Sequence, residues 1–166
     1  MPIIEISVIP FYLKKDAPII CLDLGKKTIG IAISDRGLSL ANPRPMLKRT
    51  KFSKDAITLL KLFQKENVSV SIIGLPLNMN GSSGPQVQAT RAFVHNMIKL
   101  TKIPFVFQDE RLSTIAATRT LIQSNVSRKQ RANRIDSAAA AFILQGTLDR
   151  FRFLKNNDSI KKITLR

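Results

Sequence analysis

Acidic side chains stand at three places in this chain where a carboxylate needs a special reason. Asp23 lies inside the apolar run IICLDL, Asp109 and Glu110 directly follow the apolar run IPFVFQ, and Asp136 opens the alanine-rich segment IDSAAAAFILQ. An unpaired carboxylate inside an apolar strand costs several kcal/mol, so Asp23 must be neutralised, paired or bound to a cation. These acids are the first candidates for chemistry in the chain.

Each carboxylate also has an ordinary structural explanation. Asp23 could accept hydrogen bonds from hairpin amides, Asp109 or Glu110 could be solvated, and Asp136 could cap a helix. Taken together, in a chain with 11 acidic residues, they predict a cluster that repels itself unless a cation is present. With one cysteine and one histidine in the chain, the available ligands are hard oxygens, which favour Mg²⁺ or Mn²⁺. Two such ions can bind a phosphodiester and activate water, so the predicted chemistry is phosphodiester hydrolysis.

The remainder of the chain is strongly basic. The 27 Lys and Arg residues against 11 Asp and Glu residues give a formal net charge of +16. Like charges repel in a compact fold, so the imbalance favours a polyanionic partner, with nucleic acid as the first candidate. A basic protein without such a partner, or one that binds anionic lipid, is the alternative. The predicted phosphate contacts are the basic residues of two polar segments: Lys26, Lys27, Arg128, Lys129, Arg131 and Arg134.

Length and composition restrict the class of protein further. A chain of 166 residues with 44% hydrophobic residues suits one globular domain, and no apolar run approaches the ~18 residues of a membrane span.

The N-terminal segment MPIIEISVIPFYLKK lacks the basic start and the cleavage site of a secretory signal, so we expect an extension that packs on the domain surface. The single cysteine, Cys21, suits a reducing compartment, which predicts a cytoplasmic protein. His95 is expected on the solvated side of a helix.

The first predicted elements are strands that carry Asp23 and its neighbours. The runs IICLDL and TIGIAIS are separated by GKK, a spacing that predicts a tight hairpin in which Gly25 supplies an unusual φ. Gly30, inside the second run, predicts a bulge or a close backbone approach. A third strand over about Leu38–Leu47 would be confined to a sheet edge by Pro43 and Pro45.

Helices and strands then alternate along the chain. A helix over about Ser53–Glu66, the strand VSVSIIG, a helix opened by Pro85 and the strand IPFVFQ predict right-handed parallel crossovers. A further helix is predicted from Ser113 to about Gln123. The basic segment SNVSRKQRANR is predicted as a loop, and the last helix begins beside Asp136. Open sheets of this kind place their sites at strand ends, where the acids lie.

Four motifs together resemble one protein family. LDLGKKTIGIAISD, IIGLPLNMNGSSGPQ, DERLSTIAA and IDSAAAAFILQ occur in the order typical of the YqgF/RuvX family, described both as Holliday junction resolvases and as pre-16S rRNA processing nucleases. The resemblance covers about Ile19–Asp149. It implies an α/β, RNase H-like fold close to the RuvC resolvases, with a five-stranded mixed sheet and helices on both faces. The expected domains are an N-terminal extension (1–17), the RNase H-like nuclease domain (18–149) and a basic C-terminal tail (150–166).

The resemblance also implies the roles of the acids. Asp23, Glu110 and Asp136 would form the catalytic metal site, with Mg²⁺ or Mn²⁺ as cofactor. Asp109 adjoins Glu110 and is kept as a candidate for a supporting role, because side chains alternate direction near a strand end. Arg111 could pair with an acid or bind a phosphate.

The loop Leu75–Gly84 resembles the G-L-P segment of the family. Its Asn78 and Asn80 are candidates for contact with a sugar-phosphate backbone, because glycines nearby allow a close approach. A simple connecting turn explains the same residues.

The leading function expected from these residues and from the resemblance is a metal-dependent endonuclease acting on structured nucleic acid. Processing of the 5′ end of pre-16S rRNA stands ahead of Holliday junction cleavage. A non-catalytic nucleic-acid-binding or ribosome-assembly factor is one alternative, and an actin-like ATP-binding module is another, since a D-x-G motif before a hairpin also cradles phosphates. The expected partners are structured RNA, branched DNA or ribosomal precursor particles, without a membrane. The protein would be a homodimer if it is a junction resolvase, which needs two active sites, and could be a monomer if it processes RNA.

Overall fold

A single mixed sheet forms the centre of the molecule. The computed structural model describes residues 3–78, 80–110 and 128–164, with side chains of the last helix described from Ser137 to Asn156. The strands are β1 (Ile3–Ile4), β2 (Ile19–Leu24), β3 (Thr28–Ser34), β4 (Ala41–Lys48), β5 (Val70–Leu75) and β6 (Phe105–Asp109). Their order is β1-β6-β5-β2-β3-β4. Strand β3 runs antiparallel to β2 and β4, and the other pairs are parallel. The predicted mixed α/β sheet is confirmed.

Helices cover both faces of this sheet. They are a short 3-10 helix (Ile6–Phe11), α1 (Phe52–Glu66), α2 (Pro85–Met97) and α3 (Arg128–Thr164). Helix α1 ends at Asn67, which takes the left-handed conformation with φ 54° and so terminates the helix. Helix α2 begins with proline at its first position, as predicted. The predicted helix from Ser113 lies outside the described residues.

Alternating side chains of β2 divide the apolar residues into two cores. Ile20 and Leu22 pack in the core that contains α1 and α2, whereas Ile19 and Cys21 pack in the core that contains α3. All four are 0% exposed. Burial of each large apolar side chain contributes about 1.5–3 kcal/mol to stability. Because side-chain direction alternates along a strand, Asp23 lies on the α3 face of the sheet.

The N-terminal extension supplies a strand that the sequence did not predict. Ile3 and Ile4 pair in parallel with Phe105 and Val106, so the sheet has six strands rather than five. Ile9, in the 3-10 helix that follows, is 0% exposed and belongs to the core on the α3 face. These residues therefore pack against the rest of the domain. The sequence did not reveal the strand because pairing over two residues is too short to produce a recognisable pattern.

The edge strand β4 has the features that its prolines predict. It lies at the end of the sheet order, with Pro43 paired to Ala32. The pairing of β3 with β4 changes register between Ile29 and Ile31, which places an irregularity at Gly30, as predicted.

The turn between β2 and β3 corrects one prediction. Gly25 donates its backbone N–H to the Thr28 carbonyl at 2.9 Å, which closes the hairpin. Gly81 is the glycine with positive φ among the described residues, so Gly25 does not supply an unusual φ. A Cβ at Gly25 would lie 3.0 Å from the Thr28 oxygen, so limited space is the reason that glycine suits this position.

The turn between β3 and β4 is closed by its own acidic side chain. Asp35 Oδ1 accepts hydrogen bonds from the backbone N–H groups of Ser39, at 2.7 Å, and Leu40, at 2.9 Å. These bonds stabilise the carboxylate and lower the pKa of Asp35 below its ordinary value.

Helix α3 contributes three further hydrogen bonds to the same turn, from two side chains. Gln145 accepts a hydrogen bond from the Ala41 N–H through Oε1, at 2.9 Å, and donates to the Ser39 carbonyl through Nε2, at 2.9 Å. Arg152 Nη2 also donates to the Ser39 carbonyl, at 3.0 Å. The middle of α3 is therefore bonded to the β3–β4 turn.

The start of α3 differs from the prediction. The helix begins at Arg128, so the segment from Arg128 to Arg134, predicted as a basic loop, is helical. Lysine, arginine, glutamine and alanine are strong helix formers, and no proline or glycine interrupts the run before Gly146. The helix continues to Thr164, through most of the predicted basic tail. Among the described helices, none is both long and apolar enough to cross a membrane.

Candidate carboxylate site at the strand ends

Asp23 is placed near the carboxyl end of β2, in the middle of the sheet. It is half-buried, whereas the other residues of β2 are buried. It pairs with Gly30 of β3. On the other side, Leu22 pairs with Ile73 of β5 in parallel register, so Asp23 lies beside Gly74, the next residue of that strand.

Glu110 follows β6 directly and lies on the same face as Asp23. Its backbone N–H donates to the Leu75 carbonyl at 3.2 Å, which extends the pairing of β5 and β6 by one residue. Val106 packs in the α3 core, so alternation directs Glu110 to the α3 face and Asp109 to the opposite face. Glu110 is 8% exposed. Of the two adjacent acids, Glu110 is therefore the one on the face of Asp23, and its role as a ligand stays a prediction.

Gly74 makes room for the Glu110 carboxylate. A Cβ at position 74 would overlap Glu110 Oε1 and would lie 2.9 Å from Ile143 Cδ1 of α3. The Glu110 carboxylate therefore lies over β5, the strand between β6 and β2, and so lies one strand spacing, about 4.8 Å, from the strand of Asp23. Sequence reasoning placed Gly74 at a strand end without a role. The G-L-P motif was the signal that could have identified it.

Helix α3 brings Asp136 to the same region of the sheet. Ser137, the next residue, is 2% exposed, and its Oγ accepts a hydrogen bond from the Ile31 N–H of β3 at 3.5 Å. Ile31 follows Gly30, the partner of Asp23. The Asp136 side chain lies outside the described residues. The complete triad of Asp23, Glu110 and Asp136 therefore stays a prediction.

The donor atoms in this region suit a hard cation. Asp23 and Glu110 offer carboxylate oxygens on one face, and the absent side chain of Gly74 leaves space for the Glu110 carboxylate between their strands. Such oxygens are the ligands preferred by Mg²⁺ and Mn²⁺. Among the side chains that the structure describes, no three His, Cys, Asp or Glu residues form a group that could bind a metal ion. A third carboxylate would have to come from Asp136.

The predicted phosphate contacts have different surroundings. Lys26 and Lys27 are exposed at the tip of the β2–β3 turn, three and four residues after Asp23. Arg111 lies outside the described residues. The four basic residues at the start of α3 have a helical backbone, and their side chains are also outside the description; they are Arg128, Lys129, Arg131 and Arg134.

The loop after β5 uses its asparagine side chains internally. Asn78 Nδ2 donates to Ser82 Oγ at 2.9 Å, and Asn80 Oδ1 accepts from the Ser82 N–H at 2.9 Å. Gly81 has φ 81°, and its N–H donates to the Asn78 carbonyl at 2.8 Å. These bonds favour the connecting-turn interpretation of this loop.

His95 is exposed on α2, on the side of the helix that faces solvent, as predicted. The neighbouring residue Val94 is 0% exposed and packs in the core with α1, so the helix is amphipathic at this point.

Comparisons with known proteins agree with this architecture. A family model described as "RuvX: Holliday junction resolvase" matches residues 17–150. A protein of Bartonella tribocorum is 65% identical over 154 residues, which cover 93% of this chain and 99% of that protein. A protein of Brucella suis biovar 1 is 60% identical over 154 residues, which cover 93% of this chain and 95% of that protein. Both relatives are named "Putative pre-16S rRNA nuclease".

One solved structure shares the fold at low sequence identity. It is described as Thermus thermophilus RuvC in complex with a Holliday junction substrate, and it matches with a TM-score of 0.51 at 8% identity. The match covers 81% of this chain and 96% of that one. The predicted RuvC-like, RNase H-like fold is therefore confirmed.

Proposed function

The chain belongs to the RuvX family, described as Holliday junction resolvase, and from this premise we propose that it is a metal-dependent endonuclease acting on structured nucleic acid. The substrate that we assign is precursor 16S rRNA, since the Bartonella and Brucella relatives are named for that substrate. Cleavage toward its 5′ end is the part of this assignment that rests on the resemblance of the four sequence motifs. The observation that carries the proposal is the position of Asp23 and Glu110 on one face of the sheet, with Gly74 between their strands.

Carboxylate oxygens of three residues would bind the cofactor. Asp23 and Glu110, with Asp136 as the predicted third ligand, would hold Mg²⁺ or Mn²⁺. When bound, the cations supply activation of a water molecule and stabilisation of charge on the phosphate and the leaving oxygen. Lys26 and Lys27 would contact substrate phosphates beside this site, because both are exposed at the adjacent turn. The net charge of +16 would attract a polyanion from solution.

Replacement of Asp23 is the central test of this proposal. The purified protein is incubated with an end-labelled pre-16S rRNA fragment, with and without Mg²⁺, beside the Asp23→Asn variant. We expect Mg²⁺-dependent cleavage by the wild type and a loss of about 10²–10³-fold or more in Asp23→Asn, because the variant removes a charged ligand. Asp16→Asn is the matched control, since Asp16 is an exposed acid in the left-handed conformation that asparagine tolerates. Equal cleavage by wild type and Asp23→Asn would contradict the proposed mechanism.

Holliday junction cleavage is the second candidate, favoured by the printed description of the family. A labelled four-way DNA junction in the same assay compares the two substrates directly. A resolvase needs two sites on one junction, so junction cleavage should accompany a dimer in a size measurement. RNA cleavage by a monomer would favour the rRNA substrate. Binding of either substrate that survives Asp23→Asn and Glu110→Gln, without turnover in the wild type, would support a non-catalytic assembly factor.

A further inference from the structure

Arg49, the residue after β4, contacts the β2–β3 turn in two ways. Its Nη1 donates to the Gly25 carbonyl at 2.7 Å, and its backbone N–H donates to the Lys27 carbonyl at 2.8 Å. Its guanidinium carbon also lies 5.8 Å from the centre of the Phe93 ring of α2. Arg49 is half-buried, so these contacts restrict a long side chain that would otherwise move freely.

Helix α2 supports the same turn from its first residues. Gln86 Nε2 donates to the Leu24 carbonyl at 2.7 Å, directly after Asp23 in the chain. Phe93 is 5% exposed and meets Phe52 edge to face, with ring centres 5.3 Å apart. The turn is thus attached to α2 by one hydrogen bond and, through Arg49, by a contact between a cation and a buried ring.

The two lysines at the tip of the turn, Lys26 and Lys27, lie directly beside the carbonyl groups that accept these hydrogen bonds. The carbonyl groups of Gly25 and Lys27 are both bonded to Arg49. Lys26 and Lys27 are exposed, so burial of their own side chains does not fix the tip. Fixing a flexible turn before binding lowers the conformational entropy lost when its side chains meet a ligand.

We propose that Arg49 is a positioning residue for the nucleic-acid substrate: it fixes the Gly25–Lys27 turn so that Lys26 and Lys27 meet phosphates of the strand bound at Asp23. The inference rests on the proposed function, because it assumes a nucleic acid at the carboxylate site. Arginine is required for this role, since a planar guanidinium can donate to a carbonyl while it lies over a ring, whereas an ammonium group cannot do both well.

The first experiment compares three arginine variants. Arg49→Met and Arg49→Lys are measured for KM and kcat with the labelled pre-16S rRNA fragment, and for stability by urea unfolding. Both should raise KM about ten-fold and change kcat less than about three-fold, because substrate binding is weakened without loss of a ligand. Arg44→Met is the matched control. Arg44 lies on β4, is exposed and faces Glu66 at 3.6 Å, so this variant removes the same charge without touching the turn.

Two outcomes of this comparison would overturn the proposal. Wild-type kinetics in Arg49→Lys would show that charge, and not the contact geometry, is what matters. Reduced stability in Arg49→Met with an unchanged KM would show that Arg49 acts on the fold alone.

A second experiment tests whether Arg49 acts through the lysines. RNA binding is measured at increasing salt concentration in proteins that carry Asp23→Asn, which prevents cleavage. One of these proteins also carries Lys26→Gln and Lys27→Gln, and another carries both lysine substitutions together with Arg49→Met. The lysine pair should reduce the slope of log affinity against log salt by about 1 to 2, because up to two phosphate contacts are lost. Adding Arg49→Met should then change the affinity less than about two-fold. An additive effect would overturn the proposal.

The two experiments also separate this inference from the proposed function. If the wild type cleaves no substrate but the binding variants behave as expected, the nuclease proposal fails and the positioning role stands. If the wild type cleaves RNA and the Arg49 variants bind and cleave as it does, the positioning role alone fails.

Discussion

The two turns that flank β3 lie at opposite ends of the sheet and are stabilised in different ways. The β3–β4 turn uses its own Asp35 to close the backbone, and Gln145 of α3 completes it. The β2–β3 turn uses no side chain of its own tip for that purpose: Lys26 and Lys27 are exposed, and Arg49 from outside the turn bonds to its carbonyl groups. A turn supported from outside keeps its own side chains available for a ligand. We therefore expect substitutions at the β3–β4 turn to affect stability and substitutions near the β2–β3 turn to affect nucleic-acid cleavage.

The largest expected effect separates the two acids at the end of β6. Glu110→Gln should reduce cleavage of the labelled RNA by about 10²–10³-fold, because Glu110 shares the α3 face with Asp23. Asp109→Asn, the neighbouring control, should reduce it less than about ten-fold, because alternation directs Asp109 to the other face. Equal losses in the two variants would contradict the assignment by face.

Gly74→Ala should damage the proposed carboxylate site without changing any charge. The added Cβ overlaps the Glu110 carboxylate and crowds Ile143, so we expect a loss of about 1–3 kcal/mol in the free energy of unfolding and at least a ten-fold loss of cleavage. Urea unfolding and the RNA assay measure the two effects. The control is Gly146→Ala in α3, where a Cβ would meet nothing within 4 Å. That variant should gain about 0.5–1 kcal/mol and cleave normally.

Gln145→Ala should lower stability without the loss of cleavage that is expected for Gly74→Ala. It removes two hydrogen bonds between α3 and the β3–β4 turn, so the free energy of unfolding should fall by about 1–3 kcal/mol. Cleavage at a temperature where the variant is folded should stay within about two-fold of the wild type. Gln88→Ala, an exposed position on α2, controls for the loss of a glutamine side chain. Loss of cleavage in folded Gln145→Ala would contradict the expectation that the β3–β4 turn affects stability alone.

The smallest expected effect depends on pH. The pKa of Asp35 is lowered in the folded protein, so its stabilising contribution is present above the pKa of the unfolded chain and is lost as pH falls through the folded pKa. Asp35→Asn should therefore lower stability by less than about 1 kcal/mol at pH 7, and the difference should shrink below about pH 4. Urea unfolding of both proteins across this range measures it. A difference that stays constant with pH would show that the carboxylate charge contributes nothing.

The sequence predicts the parts of the fold that follow from local patterns. Proline at 43 and 45 predicts the edge strand, and apolar runs predict the other long strands. The predicted start of α3 was wrong because the clustered basic residues from Arg128 to Arg134 were interpreted as a loop, although residues of these types favour a helix. The role of Gly74 depends on Glu110, which lies 36 positions later, and no local rule connects them. Asp23 could be recognised as a candidate site residue from its chemistry alone, since a carboxylate in an apolar run is rare.

The pairing of β1 with β6 has a practical consequence for work with this protein. Ile3 and Ile4 cover the backbone of Phe105 and Val106, at the outer side of the strand that leads to Glu110. A shortened N-terminus would leave those N–H and C=O groups exposed as a template on which another chain could add a strand. Purification tags are therefore better attached at the other terminus, and self-association of an N-terminally trimmed sample would reflect an uncovered sheet edge rather than a physiological oligomer.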